Sequence, residues 1–128
     1  MKKTLLLLAA LFVGATCCRA DTAVAQDNQG HYGYYIGPNV EWQKHRAIEF
    51  CQRCNSWQGH SWIVGATRNR GWGAIATFTA PNGNTFYAAA LGMGSEHDAR
   101  HVAREQAWRR GGGDSVQVIQ TFYDSGQY

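Results

Sequence analysis

Pro81-Asn82-Gly83-Asn84 constrains this chain more than any other stretch. Asn and Gly accept the positive φ that a tight hairpin turn demands, and the flanking residues alternate as paired strands do. Before the turn, Trp72, Ala74, Ala76 and Phe78 stand on one face of a strand and Gly73, Ile75 and Thr77 on the other. After it, Thr85–Leu91 returns. An antiparallel pair is thereby set, and the other elements must pack on it or beside it.

His60–Thr67, with Trp62, Ile63 and Val64, predicts a preceding strand, joined through the turn Arg68-Asn69-Arg70-Gly71. Upstream, Pro38 and Asn39 open a helix, with Asn39 as N-cap and Glu41 in its first turn. Ala47, Phe50, Cys51 and Cys54 recur at i, i+3, i+4 and i+7 and are expected to face inward. Asn55-Ser56 ends that helix. Downstream, Ser95 with Asp98 three residues on resembles a capping box. Ala99, Val102, Ala103, Gln106 and Ala107 give the second helix its inward face, Arg109 and Arg110 suit its C-terminal dipole, and Gly111-Gly112-Gly113 stops it. Ser115–Tyr123 reads as a closing strand. The expected order is α-β-β-β-α-β. It makes an α+β fold in which an antiparallel sheet of three to four strands carries both helices on one face and leaves the other partly wet.

The start of the chain carries an export pattern. Lys2 and Lys3 precede an apolar run from Leu5 to Val13, and Ala23-Val24-Ala25 has the small-x-small spacing of a cleavage site. The run is too short to span a bilayer, which takes about 20 residues. The expected division is a leader over residues 1–25, a flexible Tyr- and Gly-rich arm over 26–37 and one domain over 38–128. Cys18-Arg19-Ala20 offers an alternative cut after Ala20, and a lipid on Cys17 or Cys18 is a further alternative. Processing removes Lys2, Lys3 and Arg19, so the precursor's formal charge of +3 falls towards neutrality. That leaves little attraction for nucleic acid or anionic lipid. The expected location is secreted or periplasmic, with no stable membrane insertion and a monomeric state.

Within the segment from Trp72 to Tyr123 lie Gly73-Ala74-Ile75-Ala76 on a strand, a Gly-containing hairpin, Ser95 with Ala99 and Ala103 on a helix, and a final strand running into Tyr123-Asp124-Ser125-Gly126. In these pieces the chain resembles an uncharacterised family of small exported bacterial proteins. The resemblance implies export and names no chemistry. That family usually carries paired cysteines near the end of its helix and beside its last strand, where this chain has Trp108 and the Gly111 to Gly113 run. A weaker likeness is to double-stranded RNA-binding domains, through a helix, three strands and Gly92-Met93-Gly94-Ser95 opening an Ala-rich helix. Those domains place lysines at that helix start, whereas Glu96, His97 and Asp98 here repel phosphate. Nucleic acid is not an expected partner.

Four groupings carry candidate chemistry. Cys51 and Cys54 fit a local disulfide in an oxidising compartment, a redox dithiol or half a metal site. They stand at the C-terminal end of their helix, where the dipole disfavours thiolate, and this argues against redox catalysis. Joined by His97 and His101, they would make a Cys₂His₂ set suited to zinc, although the expected cofactor count is none. His97, His101 and Glu105 are the alternative hydrolase grouping, without a nucleophile at a strained turn beside them. Tyr32, Tyr34, Tyr35, Trp42 and Trp57 are the candidate binding set, since exposed rings among Gly and Asn make adaptable contact surfaces. The leading expectation is a small exported binding or interaction domain without catalytic machinery, whose partner is a protein or glycan of the cell envelope or the exterior.

Overall fold

The hairpin read around Asn82-Gly83 is present in the computed structural model, which describes residues 21–126. In chain order the elements are β1 (Asp21–Asp27), β2 (Tyr32–Gly37), α1 (Val40–Cys54), β3 (Ser61–Thr67), β4 (Gly71–Thr79), β5 (Thr85–Met93), α2 (Glu96–Ala107) and β6 (Gln117–Asp124). Gly83 takes φ +86° in the β4–β5 turn, where Asn84 N donates to Asn82 Oδ1 at 3.0 Å. Both caps are made: Trp42 N donates to Asn39 Oδ1 at 3.2 Å and Asp98 N to Ser95 Oγ at 3.1 Å. A wide turn over Trp108–Gly112, with Gly111 at φ +97°, ends α2.

The architecture differs from the expected single sheet. The described residues form two antiparallel three-stranded sheets, ordered β2-β1-β3 and β5-β4-β6. The helices do not share a face. Ala47 and Cys51 of α1 pack on Ala25 and Ile63 of the first sheet. Ala99, Ala103 and Ala107 of α2 pack on Ala74, Ala76, Ala88 and Ala90 of the second. Between the sheets lies a third apolar layer of Val24, Ile75 and Tyr87, with Tyr34, Val64 and Phe122 around them. The order from outside to outside is α1, sheet, sheet, α2. Both faces of β4 are therefore covered, because Ile75 on the face expected to be wet meets Val24. The helix-strand-strand-strand-helix order behind the RNA-binding likeness spans two sheets, with β3 in one and β4 and β5 in the other.

Two strands account for the difference. Ala23-Val24-Ala25, expected as a cleavage site, forms the middle of β1 and is fully buried. The strand is flanked by β2 and β3 and so lacks a free edge. A cut after Ala25 would remove five of its seven residues, whereas the alternative cut after Ala20 falls just before it. The supposed arm of residues 26–37 is likewise ordered: Gln26 and Asp27 complete β1, and the rest forms a short turn and β2. Residues 1–20, with the lipid alternatives Cys17 and Cys18, lie outside the described part of the chain.

Polar side chains lock the sheets together. Buried Gln26 accepts from Tyr87 N at 2.9 Å, and Thr22 Oγ1 donates to Asp124 Oδ2 at 2.7 Å, joining the first and last described strands. Both contacts satisfy buried polar groups that would otherwise oppose folding.

The two halves repeat one another. Each runs β-β-α-β, and each sheet places its strands in the order second, first, third. The register makes the correspondence residue by residue: Ala23-Val24-Ala25 pairs across β2 as Ala74-Ile75-Ala76 pairs across β5. Counting from the caps Asn39 and Ser95, the buried positions Gln43, Ala47 and Cys51 match Ala99, Ala103 and Ala107. Tyr32 matches Tyr87, and these two rings meet at 4.7 Å between the sheets.

Candidate functional site

Among the described residues β2 is an edge strand that pairs with β1 alone. Its side chains alternate about that edge. Tyr32 and Tyr34 lie on the inter-sheet face, where Tyr34 stacks on Phe122 with ring centres 4.5 Å apart. Gly33 and Tyr35 lie on the face towards α1. A Cβ at Gly33 would come within 2.5 Å of Phe50 Cδ1, so glycine there lets the Phe50 ring lie directly on the strand backbone. Tyr32, Gly33, Tyr34, Tyr35 and Phe50 together line an open groove of about 450 Å³.

A second groove, of about 240 Å³, shares Tyr35 and Phe50 with the first and continues over Trp42, Arg46, Glu49 and Arg53. The Arg46 guanidinium lies over the Tyr35 ring, 4.4 Å from its centre. Trp42 is 57 % exposed. The structure thus brings together four of the five aromatic residues singled out in the sequence and adds Phe50 and Arg46. Phe50 was expected to face inward. It is 39 % exposed, and the buried stripe of α1 is instead Val40, Gln43, Ala47 and Cys51. At 100° per residue Phe50 falls on the flank of that stripe and leans over the sheet edge. Trp57 does not join the groove. It follows the helix end at φ +63° and is 63 % exposed.

Behind β2 the β1–β2 turn is organised by Asp27, which is fully buried. Gln29 N and His31 N donate to Oδ1 at 2.9 and 2.8 Å, while Oδ2 meets His31 Nδ1 at 2.7 Å and accepts from Asn55 Nδ2 at 3.1 Å. Burial pushes the carboxyl pKa up, but the bonds from His31 and Gln29 and the His31 charge outweigh it, and the net shift is downward. The carboxylate fixes the turn that starts β2 and ties it to the end of α1 through Asn55.

The cysteine expectations are corrected by the helix. Both thiols are free, with Cys51 buried and Cys54 exposed. Helical residues three apart hold their Cβ atoms about 5–6 Å apart, whereas a disulfide needs roughly 3.5–4.5 Å. Joining them would unwind the last turn of α1. Burial first, then the Asp27 and Cys54 charges, push the Cys51 thiol up to about 12. Cys51 is a core residue and not a nucleophile. Iodoacetamide is accordingly expected to label Cys54 in the folded protein and to reach Cys51 only after denaturation. From an ordinary 9.0, a rise to about 12 leaves about a thousandfold less thiolate at Cys51. Equal labelling rates for the two thiols, followed by peptide mass analysis, would contradict this placement.

The zinc grouping fails on topology. Cys51 and Cys54 stand on α1, and His97 and His101 on α2, in opposite outer layers. Zinc requires ligand atoms within about 2.0–2.3 Å of one point, and among the described residues no three His, Cys, Asp or Glu side chains converge in that way. His97 and His101 both face solvent. His101 Nε2 lies 3.7 Å from Glu105 Oε2, an exposed i, i+4 pair in which Glu105 also accepts from Arg109. Trp108, 65 % exposed, completes a shallow hollow of about 210 Å³ with His101, Arg104 and Glu105.

Compared with protein-family models, curated proteins and solved structures, the chain matches none.

Proposed function

We propose that this chain is an exported binding domain that takes up an extended peptide segment along the free edge of β2. One observation carries the reading: an open groove of about 450 Å³ is lined by four consecutive residues of a single edge strand, with Phe50 beside them. A strand edge offers backbone N–H and C=O groups that a second strand satisfies. The rings on either side supply pockets for alternate side chains of that segment. A peptide uses both features, whereas a glycan uses only the rings.

The structural repeat supplies an internal comparison. Through the matched registers, Tyr34 and Tyr35 correspond to Ala89 and Ala90, and Phe50 to Gln106. The second half folds with alanine where the first presents tyrosine, so the shared plan does not by itself call for rings there, and Tyr34 packs only in part, on Phe122. The half-buried rings along this edge, with exposed Phe50 beside them, support a partner. Export rests on the pattern of Lys2, Lys3 and the Leu5–Val13 run, with cleavage after Ala20, which leaves β1 whole. The likeness to small exported bacterial proteins points the same way. Among the described residues no helix is long and apolar enough to cross a membrane.

The test is selection from a library of linear seven-residue segments displayed at the N-terminus of a phage coat protein. Selected segments, synthesised with acetylated and amidated ends, are expected to shift the NMR amide signals of residues 32–37. Tyr34→Ala combined with Phe50→Ala should weaken them at least tenfold, as loss of buried aromatic anchors does. Methylating alternate backbone nitrogens of the peptide should abolish binding. Selected segments whose shifts map away from β2, or a glycan array that binds the groove when no segment does, would refute the reading.

A further inference from the structure

The groove's second part specifies the partner further, and the argument rests on the peptide reading above. We propose that the segment lying along β2 carries an acidic side chain that seats against Arg46.

The charges around Arg46 are otherwise matched. Lys44 pairs with Glu41 at 3.1 Å, and Arg53 and His45 both approach Glu49. Arg46 has no carboxylate partner among the described residues, although it faces solvent on the same helix surface. Its guanidinium lies over the Tyr35 ring. Stacking on an aromatic face holds a guanidinium flat and leaves its N–H fork free for two parallel bonds to a carboxylate. Tyr35 and Phe50 line both grooves, so a segment on the β2 edge that extends a side chain past Phe50 reaches the Arg46 fork. Trp42, half-exposed beside it, shelters that contact from water on one side. The groove runs along a strand and on over a helix flank, which suits an internal Asp or Glu better than a chain terminus.

The same displayed library tests this, because its segments have no free C-terminal carboxylate. Segments selected on the unaltered protein should share an Asp or Glu at one position. With the synthetic, end-blocked peptide, replacing that acid by its amide should weaken binding roughly fivefold, the scale of an exposed ion pair. Arg46→Gln should cause the same loss, and the two changes together should add nothing more. Selection repeated on Arg46→Glu should replace the acid by Lys or Arg at that position. Segments that bind β2 without any acid preference would overturn the inference and leave the peptide reading standing. An acid preference that survives Arg46→Gln, or binding that needs a free C-terminal carboxylate, would also overturn it. If no segment reaches β2, the peptide reading fails and this inference fails with it.

Discussion

A chain that begins at Gln26 is expected to remain unfolded, while one that begins at Asp21 folds cooperatively. The first lacks Asp21 to Ala25, all fully or almost fully buried, in the central strand of the first sheet. Burial of Val24 alone contributes about 1.5–3 kcal/mol. The lost strand also strips β2 and β3 of their ladders, each hydrogen bond worth about 1 kcal/mol net. Against a total stability of roughly 5–15 kcal/mol, such losses leave no folded state. Far-UV circular dichroism and a thermal melt of the two chains would show the contrast, and a cooperative melt from the Gln26 chain would sink it. Under the proposed export, the same argument expects the mature chain to start at Asp21, which N-terminal sequencing reads directly.

Asp27→Ala is expected to cost about 2–3 kcal/mol, since it removes the acceptor of four donors around a buried carboxylate, Asn55 Nδ2 being the buried one among them. Gln29 N, His31 N, the His31 ring and Asn55 Nδ2 all lose their acceptor. The effect should depend on pH with a definite sign. The folded carboxyl lies below its ordinary 3.8, so its contribution is complete above that value. It drains away as pH falls through the lower folded value. Urea denaturation of the unaltered protein and of Asp27→Asn should therefore converge as the solution is acidified below pH 3.8. A difference that stays constant across that range would rule out the ionised carboxylate as the source.

How much of this was legible in the sequence differs between the halves. In the second half, Asn82-Gly83 and the Ser95 cap are local signals that need no tertiary context, and the elements beside them follow. In the first half, Ala23-Val24-Ala25 satisfies two physical requirements at once. Small residues flanking an apolar one suit a peptidase, and they equally suit a buried strand against a close-packed helix. With that strand assigned to the leader, the alternation of Tyr32, Tyr34 and Ile36 with Gly33 and Gly37 lost its partner and read as an arm. The repeat was also present, as Ala-Val-Ala and Ala-Ile-Ala, each followed by a cap four residues before a stripe at i, i+4 and i+8. It was obscured because the shared positions are small residues, which carry little information. At the groove, the tyrosines and Trp42 stood out as rings. Phe50 was drawn inward by its heptad-like spacing from Ala47 and Cys54. Arg46 gave no sign until β2 placed Tyr35 beneath it.

The alanine seam between α2 and its sheet has an evolutionary consequence. Seven alanines meet there, and a larger side chain at any of them meets atoms already in contact, at a typical cost of about 1–3 kcal/mol. That half of the molecule can drift very little. The other half carries its large rings at the rim of its packed layers, on β2 and the flank of α1, where Phe50 and Trp42 are partly open to solvent. A repeated β-β-α-β unit can thus keep one half tightly constrained by its alanine seam while the other half accommodates larger side chains on the same plan.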